Sequence, residues 1–183
     1  MSLQIFEQRY LDLVAHCMRE SEGFGVVWLQ QGSEVSGGSL DTPNVGEYGT
    51  YARIVDWDQL PNGLLGITIE GNEPFDVQSV WREPSGLVKA EVVWRDMPET
   101  MQLPDTFAGL AEVLEGLLRH PQIQRLQLDS DLTDGWRVGA QLAQLLPIDE
   151  GLKYQLQGLT SVEQLLEEMD NILVELSGES DQT

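Results

Sequence analysis

The chain is poor in cysteine and lysine, with one cysteine, Cys17, and two lysines, Lys89 and Lys153, among its 183 residues. A lone cysteine excludes an intramolecular disulfide and fits a reducing compartment. The first residues lack the positively charged and apolar regions of a secretory signal. No apolar run has the roughly 20 residues that a membrane-spanning helix needs. These absences together predict a cytoplasmic protein.

Positive charge is scarce overall. The 10 Lys and Arg residues face 31 Asp and Glu residues, for a formal net charge of −21. Nucleic acids and anionic membranes attract proteins through Lys and Arg, so this balance disfavours both as partners.

Sequence motifs of catalysis are also missing. No G-x-x-x-x-G-K-[ST] phosphate-binding loop is present. The Gly-Ser pairs at 32–33 and 38–39 lack the strand-turn-helix context of a catalytic nucleophile. We therefore predict no ATP hydrolysis, no peptide cleavage and no bound cofactor or metal.

Three side chains of types that often bind metals have simpler structural explanations. His16 and Cys17 are adjacent on a predicted helix and point in different directions, whereas a metal site needs more ligands at suitable spacing. His120 precedes Pro121 at a predicted helix end, where an imidazole can cap carbonyls or face the helix dipole.

The segment Val45–Arg95 has the pattern of an antiparallel sheet. Apolar and polar residues alternate along it, which is typical of strands with one buried face. Pro61-Asn62-Gly63 is turn chemistry, because Pro presets one backbone angle and Asn and Gly tolerate positive φ. The pattern predicts four strands, at 48–57, 64–70, 75–78 and 88–95.

The remaining segments predict helices and one more strand. Phe24–Leu29 is a short apolar run typical of a buried strand, and 31–44, rich in Gly and Ser, is expected to be an exposed mobile loop. After prolines 98 and 104 the apolar period becomes helical, and Thr160–Glu163 has the pattern of a capping box. Helices are predicted at 4–20, 107–118, 123–128, 136–146, 149–157 and 162–176, with no strand pairing after about residue 105.

These elements define an α+β protein in two lobes. Residues 1–96 form a β-rich lobe that includes the first helix. Residues 105–177 form a helical lobe, and 178–183 are expected to be a disordered tail.

Several motifs resemble the amino-terminal domain of the Lon ATP-dependent proteases. The run Gly49–Ile54 is similar to the family's G-T-x-A-x-I, Leu60–Gly63 to its L-P-D/N-G, and Gly66–Gly71 to its strand ending V/I-E-G. Gln4–Leu11 resembles its I-F-E-x-R-Y helix and Leu142–Ile148 its L-A-x-L-L-P segment.

Two departures from the family pattern stand out. Asn72-Glu73-Pro74 replaces the usual basic spacer before the aromatic Phe75. The family's strand before the first helix is also missing from the prediction, because the chain starts at that helix. Two explanations are open: the amino terminus is truncated relative to the family, or the sheet has an uncovered edge, which would favour association into homo-oligomers.

The resemblance implies a PUA-like pseudo-barrel followed by a helical bundle. It also implies the substrate-contacting module without ATPase or peptidase: a non-catalytic domain that recognises polypeptide segments or a protein partner, with a link to ATP-dependent proteolysis. One alternative is an oligomeric adaptor or interaction protein. Another is a PUA-like RNA-binding domain, which the net charge disfavours.

Aromatic side chains around the hairpin are the candidate peptide contacts, since aromatics either fill a core or form an apolar binding surface. Arg53 and Arg82 are each an ion-pair partner or a site for a peptide carboxylate. The acids Asp56, Asp58, Glu70, Glu73 and Asp76 form a solvated rim or, alternatively, bind a cation or a basic peptide. The selected contact residues are Tyr48, Tyr51, Arg53, Trp57, Phe75 and Trp81.

Overall fold

The computed structural model describes residues 1–31, 44–97, 99–126 and 128–180. The chain divides into two compact units, Met1–Met97 and Pro98–Thr183. Most of the predicted loop at 31–44 lies outside the described residues.

The first unit is an antiparallel sheet with one helix. Its five strands follow the order β1-β4-β3-β2, and β5 also pairs with β4. Among the described strands no pairing closes this path, so the sheet is open. The α+β class is confirmed. The elements are β1 (Ser2–Ile5), α1 (Gln8–Glu20), β2 (Phe24–Gln31), β3 (Asn44–Gln59), β4 (Leu65–Arg82) and β5 (Val88–Trp94).

The predicted start of the first helix at residue 4 is wrong. Ser2–Ile5 form strand β1, in which Leu3 pairs with Ile67 and Ile5 with Leu65. The pairing with β4 makes this segment a strand, and Leu3 and Ile5 pack against the core of the first unit. The sheet edge that was expected to be uncovered is therefore paired with β1. This edge gives no reason to expect homo-oligomers.

The two strands predicted at 64–70 and 75–78 are one continuous strand, β4. A bulge lets it pass Pro74, because Ala52 pairs with Gly71 while Thr50 pairs with Pro74. Proline is tolerated at a bulge, where its missing N–H costs no ladder hydrogen bond. The hairpin turn between β3 and β4 is confirmed, with Gly63 at φ 83° and the Leu60 N–H donating to the Leu64 carbonyl.

The core of the first unit lies between α1 and one face of the sheet. Val14 of α1 packs with Ala52 of β3 and with Ile67 and Ile69 of β4, all less than 5% exposed. The opposite face of the sheet is therefore not covered by α1.

The second unit is helical. Its core is a set of fully buried side chains that includes Leu114, Val138, Leu142, Leu166 and Met169. A single 3-10 turn, Asp105–Phe107, leads into the first helix. The helices are α2 (Ala108–Leu118), α3 (Pro121–Gln124), α4 (Gly135–Leu145), α5 (Glu150–Gly158) and α6 (Val162–Ser180).

Three predictions for the second unit need correction. The short helix expected at 123–128 begins at Pro121 and ends at Gln124, since proline favours the first helical position. Helix α6 continues through Ser180, so 178–180 are helical, and 181–183 lie outside the described residues. An isolated β-bridge joins Gln102 to Asp134, so strand-type pairing does occur beyond residue 105.

Side-chain caps fix where the helices of the second unit begin. Asp134 Oδ1 accepts a hydrogen bond from the Trp136 N–H at 3.0 Å and caps α4. Ser161 Oγ accepts from the Gln164 N–H at 3.3 Å, so the predicted capping box is displaced by one residue. No helix in the described part of the chain has the length and apolar character needed to cross a membrane.

Candidate functional site

The sheet has one face turned away from α1, which we call the outer face. Along β3, Ala52 and Ile54 point toward Val14 of α1. Side chains alternate along a strand, so Gly49 and Tyr51 belong to the outer face. Phe75 pairs with Gly49 and also with Trp94, which places both aromatics on the outer face too.

Two glycines on neighbouring strands form a flat floor beneath the Phe75 ring. A Cβ atom on Gly25 would lie 2.9 Å from Phe75 Cζ, and one on Gly49 would lie 2.8 Å from it. Real Cβ atoms do not approach so closely, so the ring can lie against these strands only where side chains are absent. Phe75 is consequently buried, with 3% exposure.

Tyr51 and Trp94 complete an aromatic cluster with Phe75. The Trp94 ring meets Tyr51 edge-to-face at 5.6 Å between centroids, and meets Phe75 in the same way at 6.1 Å. This geometry is favourable for aromatic pairs. The Tyr51 hydroxyl accepts a hydrogen bond from the Gly23 N–H, which fixes the Tyr51 ring. Trp94 is nevertheless 53% exposed. Its ring therefore presents an apolar surface whose orientation is set by contact with Tyr51 and buried Phe75.

The predicted contact residues separate into different environments. Tyr51 and Phe75 belong to the aromatic cluster, but buried Phe75 supports Trp94 and has no surface for a ligand. Tyr48 is half-buried beneath the Arg95 guanidinium, 4.7 Å from its ring centroid, and Arg95 in turn forms an ion pair with Asp76 at 2.6 Å. Tyr48 therefore has a structural role in this arrangement.

The other three predicted contacts lie outside the aromatic cluster. Trp57 is 58% exposed and pairs with Ile67, far along β4 from Phe75. Trp81 is 43% exposed and pairs with Lys89 near the β4–β5 turn. Arg53 is exposed on the outer face and pairs across the strands with Glu70.

Trp94 is the site residue that the sequence reasoning missed. Trp94 shares one face of the predicted strand with Val88, Ala90 and Val92, and this pattern predicts a half-buried apolar face without showing which of its side chains stays exposed. Its position at the end of β5 instead leaves the ring half open to solvent. The signal that points to the cluster is a glycine on each of two adjacent strands, because such pairs make room for a large ring.

The titratable side chains have structural roles. Cys17 is buried with its thiol 3.5 Å from the Gly23 carbonyl, and burial, then the charge of Glu22, raises its pKa. Contrary to one of the two predictions for His120, its ring does not cap carbonyls in the described part of the chain. Its Nδ1 accepts from the Gln122 N–H at the start of α3. Among the described residues, no group of three or more His, Cys, Asp or Glu side chains is arranged to hold a metal ion.

Comparison with known proteins agrees with this architecture. The "Lon N-terminal domain protein" from Xanthomonas campestris is 32% identical, with a TM-score of 0.75 over 92% of this chain and 86% of that chain. The N-terminal domain of Mycobacterium avium complex Lon protease has the same fold at 14% identity, with a TM-score of 0.58 over 93% and 88% of the two chains.

No curated protein sequence matches the chain significantly. The family model described as the ATP-dependent protease La (LON) substrate-binding domain matches residues 1–175. This match covers both units, and the chain therefore belongs to the family of Lon substrate-binding domains.

Proposed function

We propose that the chain binds polypeptide segments without catalysing a reaction. The contact site is the aromatic cluster, in which buried Phe75 supports Tyr51 and the exposed Trp94 ring. The observation that carries the proposal is the half-exposed Trp94 ring, held edge-to-face on buried Phe75. An exposed aromatic ring whose orientation is already fixed loses little conformational entropy on binding. Tryptophan and tyrosine rings are also enriched among the residues that contribute most to interface affinity.

The strand next to the aromatic cluster supports the same function. β2 lies at the end of the sheet, and among the described strands it pairs with β3 alone. Gly25 of β2 pairs with Tyr51, so the open side of β2 is one strand away from the cluster. An extended polypeptide can hydrogen-bond to such an edge through its backbone while an apolar side chain contacts the aromatic surface.

Binding by this surface should be weak and resistant to salt. Ordering a flexible chain opposes association, which limits affinity. Apolar contacts and backbone hydrogen bonds persist at an ionic strength that screens exposed charges. A link to ATP-dependent proteolysis follows from the family and remains part of the proposal.

The test is a titration of an unfolded, uncharged polypeptide into the wild-type chain and two tryptophan variants. Trp94→Ala should weaken binding by about fivefold or more, the effect of an interface residue worth over ~1 kcal/mol. Trp81→Ala is the matched control, because Trp81 is also exposed but lies outside the cluster. Equal weakening in both variants, or none in either, would contradict the proposal.

The same titration separates the proposed function from its alternatives. An RNA oligomer that binds at low salt and dissociates at high salt would favour the PUA-like RNA-binding role instead. A chain that binds no polypeptide but changes mass with concentration in analytical ultracentrifugation would favour the oligomeric adaptor.

A further inference from the structure

The turn between α1 and β2 connects the buried Cys17 thiol with the aromatic cluster. Ser21, the first residue after α1, adopts φ 59°, and the N–H groups of Ser21 and Glu22 both donate to the Cys17 carbonyl. After this turn, the Gly23 carbonyl accepts a hydrogen bond from the Cys17 thiol at 3.5 Å. The Gly23 N–H donates to the Tyr51 hydroxyl. Gly23 therefore contacts α1 through one backbone group and the aromatic cluster through the other.

Only a residue without a side chain fits at position 23. A Cβ atom there would overlap the Ala52 carbonyl oxygen and would lie 2.8 Å from Tyr51 Cζ. The carbonyl belongs to the β3 backbone, which cannot shift without disturbing its pairing with β2 at Phe24. Glycine permits such a close approach of two backbones. The backbone of the turn is consequently held directly against the Tyr51 ring.

Tyr51 links this turn to the exposed ring of Trp94. The two rings meet edge-to-face at 5.6 Å between centroids, and the hydroxyl end of Tyr51 is held by Gly23. Opening of the turn would therefore release the tyrosine ring against which Trp94 packs. Closely packed side chains transmit a displacement of this kind, because they have few alternative arrangements.

We propose that Gly23 is a positioning residue of the polypeptide site, and that polypeptide binding and opening of the α1–β2 turn are coupled. A polypeptide bound at Trp94 needs the Tyr51 ring in place, and the closed turn holds that ring. The polypeptide should therefore stabilise the closed turn, and by thermodynamic linkage the closed turn should favour the polypeptide. This inference rests on the proposed function, because it concerns the same site.

Cys17 reports opening of the turn, because it is the one cysteine of the chain and is 2% exposed. A reagent such as dithiobis(nitrobenzoate) reaches a buried thiol when the structure around it opens. The thiolate then attacks the disulfide of the reagent, forms a mixed disulfide and releases coloured thionitrobenzoate. An unfolded, uncharged polypeptide at about ten times its dissociation constant should slow this modification about tenfold in the wild-type chain.

Tyr51→Phe should break the link while keeping the aromatic ring. Without polypeptide, modification of Cys17 should be about fivefold faster, because the Gly23 N–H loses the partner that favours the closed turn. Polypeptide at about ten times the dissociation constant of this variant should slow modification less than about twofold. Tyr48→Phe is the matched control, since it removes a hydroxyl from the same strand where the ring lies beneath Arg95. It should behave as the wild-type chain.

The outcomes distinguish this inference from the function on which it rests. Slowing by the same factor in the wild-type chain and in Tyr51→Phe would overturn the inference, because the polypeptide would then protect the fold as a whole. An unchanged rate in the wild-type chain with polypeptide bound would also overturn it and would leave polypeptide binding intact. Absence of any binding in the titration would overturn both proposals.

Discussion

Substituting Gly25 with alanine is a direct probe of the glycine floor beneath Phe75. The new Cβ would lie 2.9 Å from Phe75 Cζ and 3.3 Å from Cε1, and Phe75 is the one residue that it would meet within 4 Å. Comfortable carbon contacts are roughly 3.5–4.0 Å long, so the ring must shift. Overpacking of this kind typically costs about 1–3 kcal/mol of unfolding free energy.

The same substitution should behave differently when the ring is absent. In a Phe75→Leu background the shorter side chain no longer reaches the Gly25 position. Alanine is then favoured over glycine in a strand by about 0.5–1 kcal/mol. The double-mutant cycle should therefore give a coupling energy of about 1.5–4 kcal/mol between positions 25 and 75.

Urea unfolding followed by tryptophan fluorescence measures this coupling, because Trp28, Trp57, Trp81 and Trp94 all lie in the first unit. Gly116→Ala in α2 is the control, since its Cβ would meet nothing within 4 Å. It should be neutral or stabilising in both backgrounds. If Gly25→Ala costs the same with Phe75 and with leucine at 75, the glycine floor is not what positions the ring.

Three other predictions concern stability and chemistry. Leu166→Ala, at a fully buried position, should cost about 2–5 kcal/mol, partly buried Leu173→Ala less, and exposed Glu167→Ala almost nothing in thermal unfolding. Burial raises the pKa of Cys17, so unfolding releases its proton more readily: stability should fall as pH rises above about 8.5. Cys17→Ala should flatten that dependence in alkaline urea titrations. The purified chain should neither hydrolyse ATP nor cleave peptides, and turnover abolished by a point mutation within it would refute this.

Long periodic segments were predictable from sequence because their patterns are redundant. The stripe Val162–Leu176 repeats its apolar period often enough that α6 begins where predicted. Ser2–Ile5 offers only four residues, too few to separate a period of two from a helical period, and its strand is stabilised by distant Leu65–Thr68. Strand β1 is therefore determined by its tertiary pairing with β4, which the local sequence does not indicate.

The candidate site was predictable only in part, for a related reason. Tyr51 and Phe75 were selected because aromatics near a hairpin are recognisable in sequence. Which ring is covered depends on strand register: Gly25 and Gly49 bury Phe75, while Trp94 at the end of β5 stays open. A bulge of unknown position in β4 makes such register impossible to count from sequence alone.

Photo-crosslinking can locate the polypeptide on the surface and so show whether it binds at the aromatic cluster. An unfolded, uncharged peptide with one benzophenone side chain is irradiated with the wild-type chain, and cross-linked residues are mapped by mass spectrometry. Cross-links are expected on the outer face around Tyr51 and Trp94, and Trp94→Ala should reduce them. Cross-links confined to α1 or to the helices of Pro98–Thr183 would contradict binding at the aromatic cluster.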